Sequence, residues 1–179
     1  MENTMSALVP LELRIDQCSR LTGEFRLHSG AITSEYFDKY RFEADPALLR
    51  EIGTAMAGLV PDGTQVLAGL ELGGIPIVTV LSHCTGLPAR FVRKQAKEYG
   101  TCQAVEGGEV SGLRVAIVED VITSGKWVLA GCNELRALGA VVDTVLCVID
   151  RESGGREKLT NAGLQLHALF RMSELRATR

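Results

Sequence analysis

Apolar residues recur along the chain with two different spacings. Short apolar runs of strand length occur at five places, namely 66–70, 90–93, 115–118, 141–149 and 164–170. Apolar residues at helical spacing occur in three longer stretches, namely 46–60, 75–84 and 127–138. Strands that alternate with helices in this way build a mostly parallel sheet with helices on both faces. The pattern therefore predicts an α/β fold, and the length of 179 residues predicts one domain.

The N-terminal part precedes this alternation and has a pattern of its own. It predicts a helix at 11–21, a short strand at 24–28 and a second extended piece that begins at Tyr36. Asp45 is suited to cap a helix and Pro46 to occupy its first position. We therefore expect the first long helix to begin at this pair.

One stretch without a periodic apolar face, 94–112, interrupts the alternation. Loops longer than about 12–15 residues are uncommon inside compact domains and are usually functional or disordered. We expect this stretch to be a flexible lid over an active site, with part of it in a hairpin. A solvated loop without a role is the alternative.

Composition and charge narrow the classes of protein that fit. The chain is 46% hydrophobic and 23% charged, as globular proteins are. It has neither an apolar run of the roughly 18 residues that a membrane helix needs nor a secretory leader pattern, so we expect a cytoplasmic protein. A net charge of −3 argues against a general nucleic-acid binder. Positive charge is nevertheless concentrated in Arg90, Arg93, Lys94 and Lys97, which favours an anionic small substrate.

The most informative chemistry follows the apolar run 115–118. Glu119 and Asp120 come directly after it, then a turn at 123–125, then a helix. Ligands bind at the carboxyl ends of parallel strands, so these acids are expected at the rim of a ligand crevice. The turn is expected to present backbone N–H groups at a helix N-terminus, a geometry that binds phosphate.

Two carboxylates beside a phosphate site would repel a bare phosphate. A ribose 5-phosphate resolves the conflict, because its hydroxyls bind the acids and its phosphate binds the turn. A Mg²⁺ ion between acids and phosphate would resolve it as well. The P-loop, dinucleotide-binding and nucleophile-elbow motifs are absent from the sequence. An ordinary strand-to-helix loop with solvated acids is the remaining alternative.

These residues carry a resemblance to a known family. Residues 115–126 resemble the phosphoribosyl pyrophosphate (PRPP) signature of type I phosphoribosyltransferases, in which an aliphatic strand, two acids and a Thr/Ser/Gly turn follow one another. Further segments resemble orotate phosphoribosyltransferases in particular. They are the F-x-L-x-S-G-like 25–30, the aromatic pair 36–37, the pyrophosphate loop 72–76, the basic loop 93–100 and the D-R-x-x-G-like 150–157. Together they span about residues 25–175.

The resemblance implies a type I phosphoribosyltransferase fold in one domain, 1–179. An N-terminal helix and hood would occupy 1–44, and a flexible catalytic loop 94–112. It also implies a reaction, in which orotate and PRPP give orotidine 5′-monophosphate and pyrophosphate in pyrimidine biosynthesis. Mg²⁺ would accompany PRPP, with no metal ligands assigned to the chain. The family works as homodimers, in which the basic loop of one subunit closes over the site of the other.

The same resemblance assigns roles to particular residues. Glu119 and Asp120 would hold the ribose hydroxyls. The segment around the 5′-phosphate would comprise Val121, Ile122, Thr123, Ser124, Gly125, Lys126 and Trp127. The catalytic residues would be Arg93, Lys94, Lys97, Tyr99 and Asp120, with Lys97 foremost in stabilising the departing pyrophosphate. The remaining substrate-binding residues would be His28, Tyr36, Phe37, Gly73, Gly74 and Arg156, with Tyr36, Phe37 and Arg156 at the orotate.

Three positions depart from the family pattern. His28 stands where many members have Lys, Gly73 where some have Lys, and Tyr99 where the loop usually has His. These departures bear on which base accepts the phosphoribosyl group and on how fast the reaction is. They bear less on the site that binds the phosphoribosyl group. Two alternatives therefore remain, namely a phosphoribosyltransferase for another base and a regulator that senses PRPP. A regulator would need a basic face or an added DNA-binding domain, for which the chain has little charge or length.

Overall fold

The computed structural model describes residues 9–26, 30–95 and 103–177. The strands are β1 (Arg20–Arg26), β2 (Ile32–Phe37), β3 (Val66–Leu70), β4 (Ala89–Val92), β5 (Val105–Glu106), β6 (Arg114–Ile122), β7 (Val141–Asp150) and β8 (Gln165–Arg171). The helices are α1 (Leu11–Ser19), α2 (Tyr40–Ala44), α3 (Pro46–Ala57), α4 (Gly74–Thr85), α5 (Lys126–Ala137), α6 (Gly155–Asn161) and α7 (Met172–Ala177).

The main sheet has six strands in the order β5-β4-β3-β6-β7-β8. All neighbours in it are parallel except β4 and β5, which are antiparallel. Strands β1 and β2 form a separate antiparallel pair. The central position of β6 brings its carboxyl end next to those of β3 and β7. Loops that follow these three strands therefore meet at one edge of the sheet.

Buried apolar residues form one layer on each face of this sheet. Helices α5 and α6 cover one face through residues such as Val128, Leu135 and Leu159. The other face is covered by α1, α2, α3, α4 and α7, with Phe42 and Ile52 fully buried. Each fully buried side chain of this size contributes about 1.5–3 kcal/mol of transfer free energy. The predicted α/β architecture, a mostly parallel sheet with helices on both faces, is confirmed.

The start of α3 follows from local chemistry. The Asp45 carboxylate accepts hydrogen bonds from the backbone N–H groups of Ala47 and Leu48, at 2.9 and 3.0 Å. Pro46 occupies the first helical position, where a missing N–H costs nothing. The predicted beginning of this helix is therefore confirmed.

Several predicted boundaries are wrong. β6 continues through Ile122 instead of ending at Val118, because Val121 and Ile122 still pair with β7. Helix α1 ends at Ser19, two residues earlier than predicted. Tyr36 lies near the end of β2 and does not begin a strand.

The C-terminal part of the segment 94–112 is joined to the sheet. β5 pairs with β4, and Val105 and Val110 are each only 3% exposed. The short strand was not predicted individually, although the sequence indicated a hairpin within this segment. Whether the segment acts as a lid stays a prediction. In the described parts of the chain, each helix is too short or too polar to cross a membrane.

Candidate active site

Two adjacent carboxylates lie at the carboxyl end of β6. Glu119 is 7% exposed and Asp120 is fully buried, because both belong to the last part of a central strand. The Asp120 Oδ1 atom accepts a hydrogen bond of 2.5 Å from the backbone N–H of Val121. Its Oδ2 atom lies 2.6 Å from the Lys39 ammonium, which comes from the start of α2. The two acids therefore lie in an enclosed site, where the Lys39 ammonium balances part of their negative charge. The sequence predicted the two acids at a sheet edge but not Lys39.

The loop between β3 and α4 packs directly on these acids. A Cβ atom on Gly73 would lie 1.7 Å from Asp120 Oδ2. A Cβ atom on Gly74 would lie 2.5 Å from the Val118 carbonyl oxygen and 3.0 Å from Glu119 Oε2. Both positions therefore require glycine in this arrangement. A larger side chain at position 73 therefore has no room here, and the Lys39 ammonium contacts the same oxygen of Asp120.

The predicted phosphate turn follows β6 as expected. Thr123 and Ser124 are exposed, and Gly125 adopts a left-handed φ of 69° at the N-terminus of α5. The N-cap residue Gly125 has no side chain to cap this helix, and the Ser124 hydroxyl accepts a long hydrogen bond of 3.5 Å from the Lys126 N–H. The first turn of α5 can therefore direct backbone N–H groups at an anion.

Two members of the predicted phosphate segment have other duties. The Ile122 side chain is 2% exposed and packs in the core, so only its backbone can face a ligand, and its carbonyl already accepts a hydrogen bond from Arg151 N–H. The Trp127 indole N–H donates to the Glu71 carbonyl at 3.1 Å. Trp127 thereby joins the start of α5 to the loop after β3.

The basic segment after β4 approaches the same place. The Lys94 backbone N–H donates to Glu71 Oε2 at 2.9 Å, and its ammonium lies 5.9 Å from the centre of the Trp127 ring. The Lys94 charge also acts on Glu119. Arg93 is tied to the hairpin through its backbone N–H, which donates to the Ala104 carbonyl. Three other predicted site residues, His28, Lys97 and Tyr99, lie outside the described residues.

A cavity of about 240 Å³ lies beneath the β1–β2 pair. Tyr36 and Phe37 line it, as expected for an acceptor site, together with Arg151. Arg20 and Arg176 add two more cations to its wall. Arg151 was not predicted as a site residue, although its position directly after the buried strand β7 was a usable signal.

Arg156 makes two hydrogen bonds within the protein, and its role at the acceptor stays a prediction. Its Nε atom donates to the buried Asp150 carboxylate at 2.9 Å, and its Nη1 atom donates to the Leu166 carbonyl at 2.9 Å. A buried carboxylate needs a partner, and Arg156 supplies it. The side chain therefore ties α6 to β7 and β8 and does not line the cavity that contains Tyr36.

The electrostatics of the acid cluster depend on burial. Burial raises the pKa of Glu119 well above its usual value, and the charge of Asp120 adds to this effect, while Lys39 and Lys94 oppose it. Burial by itself lowers the pKa of Lys39, but the charge and hydrogen bond of Asp120 and the charge of Glu119 raise it overall. Lys39 is therefore a firmly protonated counterion of the cluster.

The geometry defines what the site can bind. Three features lie around one sheet edge, namely carboxylates suited to hydroxyl groups, a glycine loop packed on these carboxylates and a helix N-terminus suited to an anion. The described residues hold no cluster of His, Cys, Asp and Glu side chains that could bind a metal ion. The arrangement suits a phosphorylated sugar whose hydroxyls and phosphate bind at separate places.

Comparison with known proteins adds relatives of stated activity. No protein-family model matches the chain. An orotate phosphoribosyltransferase from Nocardioides sp. is 53% identical over 165 residues, which are 92% of each chain. A crystal structure of Mycobacterium tuberculosis orotate phosphoribosyltransferase with Fe(III) dicitrate has a TM-score of 0.85 at 32% identity, over 92% of this chain and 96% of that one. A crystal structure of the same mycobacterial enzyme with PRPP has a TM-score of 0.80 at 30% identity, with the same coverage.

The sheet order, the acid pair on the central strand and the glycine loop beside it define a type I phosphoribosyltransferase fold. The similarity extends over nearly the whole chain and reaches the level of a shared family. The chain belongs to the orotate phosphoribosyltransferase family. The family resemblance found in the sequence is therefore confirmed.

Proposed function

We propose that this protein transfers the 5-phosphoribosyl group of PRPP to orotate, forming orotidine 5′-monophosphate and pyrophosphate. This is a step of pyrimidine nucleotide biosynthesis. The observation that carries the proposal is the buried Glu119–Asp120 pair, which lies between a glycine loop and the N-terminus of α5. Membership of the family supports orotate as the acceptor.

Binding of PRPP divides among three elements of the site. Glu119 and Asp120 accept hydrogen bonds from the ribose hydroxyls at the end of β6. Residues 123–126 take the 5′-phosphate through backbone N–H groups and hydroxyls. Gly73 and Gly74 bind the pyrophosphate along the backbone of their loop, which packs directly on the acids and on β6 because neither residue has a side chain.

The chemistry needs positive charge near the leaving group. The bond between C1 of the ribose and the pyrophosphate oxygen breaks, and the pyrophosphate leaves with the electron pair. N1 of orotate forms the new bond to C1 and gives up its proton. Cations that meet the growing negative charge lower the barrier, more strongly when water is excluded. Arg93 and Lys94 supply such charge, and Lys97 completes it when the basic loop closes.

Mg²⁺ enters this account as part of the substrate. PRPP carries the ion on its own phosphate oxygens, where it offsets the charge of the pyrophosphate. The protein's task is then to bind the magnesium complex, and Lys94 faces the buried acids from the side of the glycine loop.

Orotate binds in the cavity beneath β1 and β2. Tyr36 offers an aromatic face, and Arg151 offers a cation for the carboxylate or ring oxygens of the acceptor. The active form is a cytoplasmic homodimer in which the basic loop of one subunit serves the other. A neutral purine base would make less use of the cations in this cavity.

Product identification tests the proposal. Purified protein would be incubated with Mg²⁺, PRPP and orotate, and the products would be separated, then identified and quantified by mass spectrometry. We expect orotidine 5′-monophosphate and pyrophosphate in equal amounts. Absence of the nucleotide product, with folded protein and intact PRPP in the mixture, would overturn the assignment.

A further inference from the structure

A third acid lies against the Glu119–Asp120 pair and has no role in the account so far. Glu43 belongs to α2, on the N-terminal side of the molecule, and is only 7% exposed. It lies one helical turn after Lys39, whose ammonium is 2.6 Å from Asp120 Oδ2, so its side chain lies on the same face of α2 as Lys39, towards Asp120. Sequence analysis did not single it out, because an acid within a short helix is usually solvated.

The surroundings of Glu43 indicate which group carries a proton. Among the described residues, no donor gives a hydrogen bond to either of its carboxyl oxygens. Asp120, by contrast, has the Val121 N–H on one oxygen and the Lys39 ammonium on the other. Two carboxyl groups that interact cannot both ionise cheaply when buried. Asp120 is stabilised as the anion, so the proton belongs on Glu43.

We propose that Glu43 is a positioning residue of the PRPP site, whose neutral carboxyl group donates a hydrogen bond to Asp120 and holds that carboxylate ready for the ribose hydroxyls. Burial, together with the hydrogen bond and charge of Asp120, raises the pKa of Glu43 to about 9, in agreement with this role. The inference rests on the proposed binding of PRPP at Asp120.

The neutral state of Glu43 matters because the ligand is an anion. The charged and titratable groups that act on the cluster are Lys39, Tyr40, Lys94, Glu119 and Asp120. An ionised Glu43 would add negative charge beneath the ribose and compete with Asp120 for Lys39. A protonated Glu43 orients Asp120 without that cost. The site is thereby built to bind PRPP best below the pH at which Glu43 ionises.

Direct binding measurements at several pH values test this role. Titration calorimetry with Mg²⁺ and PRPP would be run between pH 7 and pH 10 on wild type, Glu43→Gln and Glu43→Ala. At pH 7.5 we expect Glu43→Ala to bind roughly tenfold more weakly, since a hydrogen bond to a charged group is lost. Glu43→Gln should restore most of that affinity, because its amide can still donate to Asp120.

The pH dependence separates a proton-holding role from a merely structural one. Between pH 8 and pH 10 the wild type should lose at least threefold more affinity than Glu43→Gln, which has no proton to release. Glu134→Gln, an exposed change on α5, serves as the matched control and should follow the wild type. Circular dichroism at each pH would confirm that all the proteins are folded.

Two results would overturn the proposal. One is an equal loss of affinity at high pH in wild type and Glu43→Gln. The other is wild-type affinity in folded Glu43→Ala at pH 7.5. Failure of the PRPP site on which this inference rests has a different signature, because PRPP would then not bind the wild type at any pH, whereas a different acceptor base would leave these binding curves unchanged.

Discussion

Asp120 is the residue on which most contacts of the site converge. Its carboxylate is fully buried and interacts with the Val121 N–H, the Lys39 ammonium and the Glu43 carboxyl. Gly73 leaves room for this carboxylate, because a Cβ atom at position 73 would overlap its Oδ2 atom. A buried charge with this many partners is held in one orientation, which a ligand with a fixed pair of hydroxyls requires.

Replacement of Asp120 by Asn should therefore weaken use of PRPP sharply. The amide removes the negative charge that binds Lys39 and accepts the ribose hydroxyl, so we expect kcat/KM for PRPP to fall roughly 10- to 100-fold. Steady-state kinetics with saturating orotate would measure it. Asp143→Asn is the control, because Asp143 lies near the start of β7, away from the acid pair, and its carboxylate pairs with Arg114 at the surface. Unchanged kinetics in Asp120→Asn would remove this residue from the ribose site.

The raised pKa of Glu43 has a consequence for stability. The unfolded chain loses this proton near the ordinary value of 4.5, whereas the folded chain keeps it to about 9. The unfolded state therefore binds fewer protons between these values, and this residue makes the native state less stable as the pH rises through that window. Glu43→Gln removes the effect. Urea unfolding should show the variant gaining stability relative to wild type from pH 5 to pH 8.

The opposite trend would show that Glu43 is ionised in the folded protein. Glu134→Gln should show no such trend, since Glu134 is exposed on α5.

Much of the candidate site could be predicted from residue types and order. The apolar strand, the acids Glu119 and Asp120 and the glycine turn follow one another along the chain. This part of the site can therefore be recognised from the sequence alone. Lys39 and Glu43 could not be found this way, because only the packing of α2 against β6 brings them to Asp120. The contact of Arg156 with Asp150 could not be found from the sequence either, since it exists only when α6 packs against β7.

At the scale of elements, the loop from β3 to α4 sets the shape of the site. Gly73 and Gly74 lie where strand β3 meets the acids of β6, and neither has space for a side chain. The loop is also tied to α5 and to the basic segment through Glu71, which accepts hydrogen bonds from Trp127 and Lys94. The glycines and Glu71 together hold three elements in register around the ligand.

A Gly73→Ala change should disturb ligand binding as well as folding. Its Cβ atom would lie 1.7 Å from Asp120 Oδ2, so Asp120 must move away from Lys39. We expect at least tenfold weaker PRPP binding and a lower melting temperature. Gly58→Ala is the matched control, because Gly58 has a φ of −70° and its Cβ atom would lie 3.7 Å from the Ala55 carbonyl oxygen, an ordinary contact distance. Its stability should stay within about 0.5 kcal/mol of wild type.

Wild-type PRPP affinity in Gly73→Ala would show that Asp120 can bind ribose from a displaced position. That result would also weaken the role proposed for Glu43.

The long elements of the fold could be predicted, and the short ones could not. Helices α3, α4 and α5 and strands β3, β6 and β7 have apolar patterns long enough to identify. Helices α2, α6 and α7 have five to seven residues, and β5 has two, so no spacing distinguishes them. The end of β6 was missed because its acids interrupt the apolar run, while backbone pairing with β7 continues past them.

In the whole molecule, the proposed reaction needs two parts. One is the domain that provides the substrate site, and the other is the basic loop that completes this site. The described parts of the chain contain the acid pair, the glycine loop, the phosphate turn and a cavity for the acceptor. Lys97 belongs to the segment that the resemblance assigns to loop closure across a dimer. Binding and charge stabilisation would then be divided between two copies of the chain.

Mixing two inactive variants tests this division. Lys97→Ala should lower kcat more than it changes KM for PRPP, if Lys97 acts mainly on the departing pyrophosphate. When Lys97→Ala and Asp120→Asn proteins exchange subunits, one site of each mixed dimer would have an intact loop and an intact acid pair. We expect about a quarter of wild-type activity after equal mixing. Activity that stays at the level of the separate variants, with exchange demonstrated, would contradict loop donation between subunits.

A panel of acceptor bases tests whether the protein transfers the phosphoribosyl group to orotate. Purified protein, Mg²⁺ and PRPP would be combined in turn with orotate, uracil, adenine, guanine, hypoxanthine and xanthine, and pyrophosphate release would be followed. We predict rapid release with orotate and none above background with the other bases. Release with a different base would contradict the assigned acceptor while leaving the phosphoribosyl site in place. If no base gives pyrophosphate release and the protein still binds PRPP, the result would contradict catalysis itself and favour a sensor of PRPP.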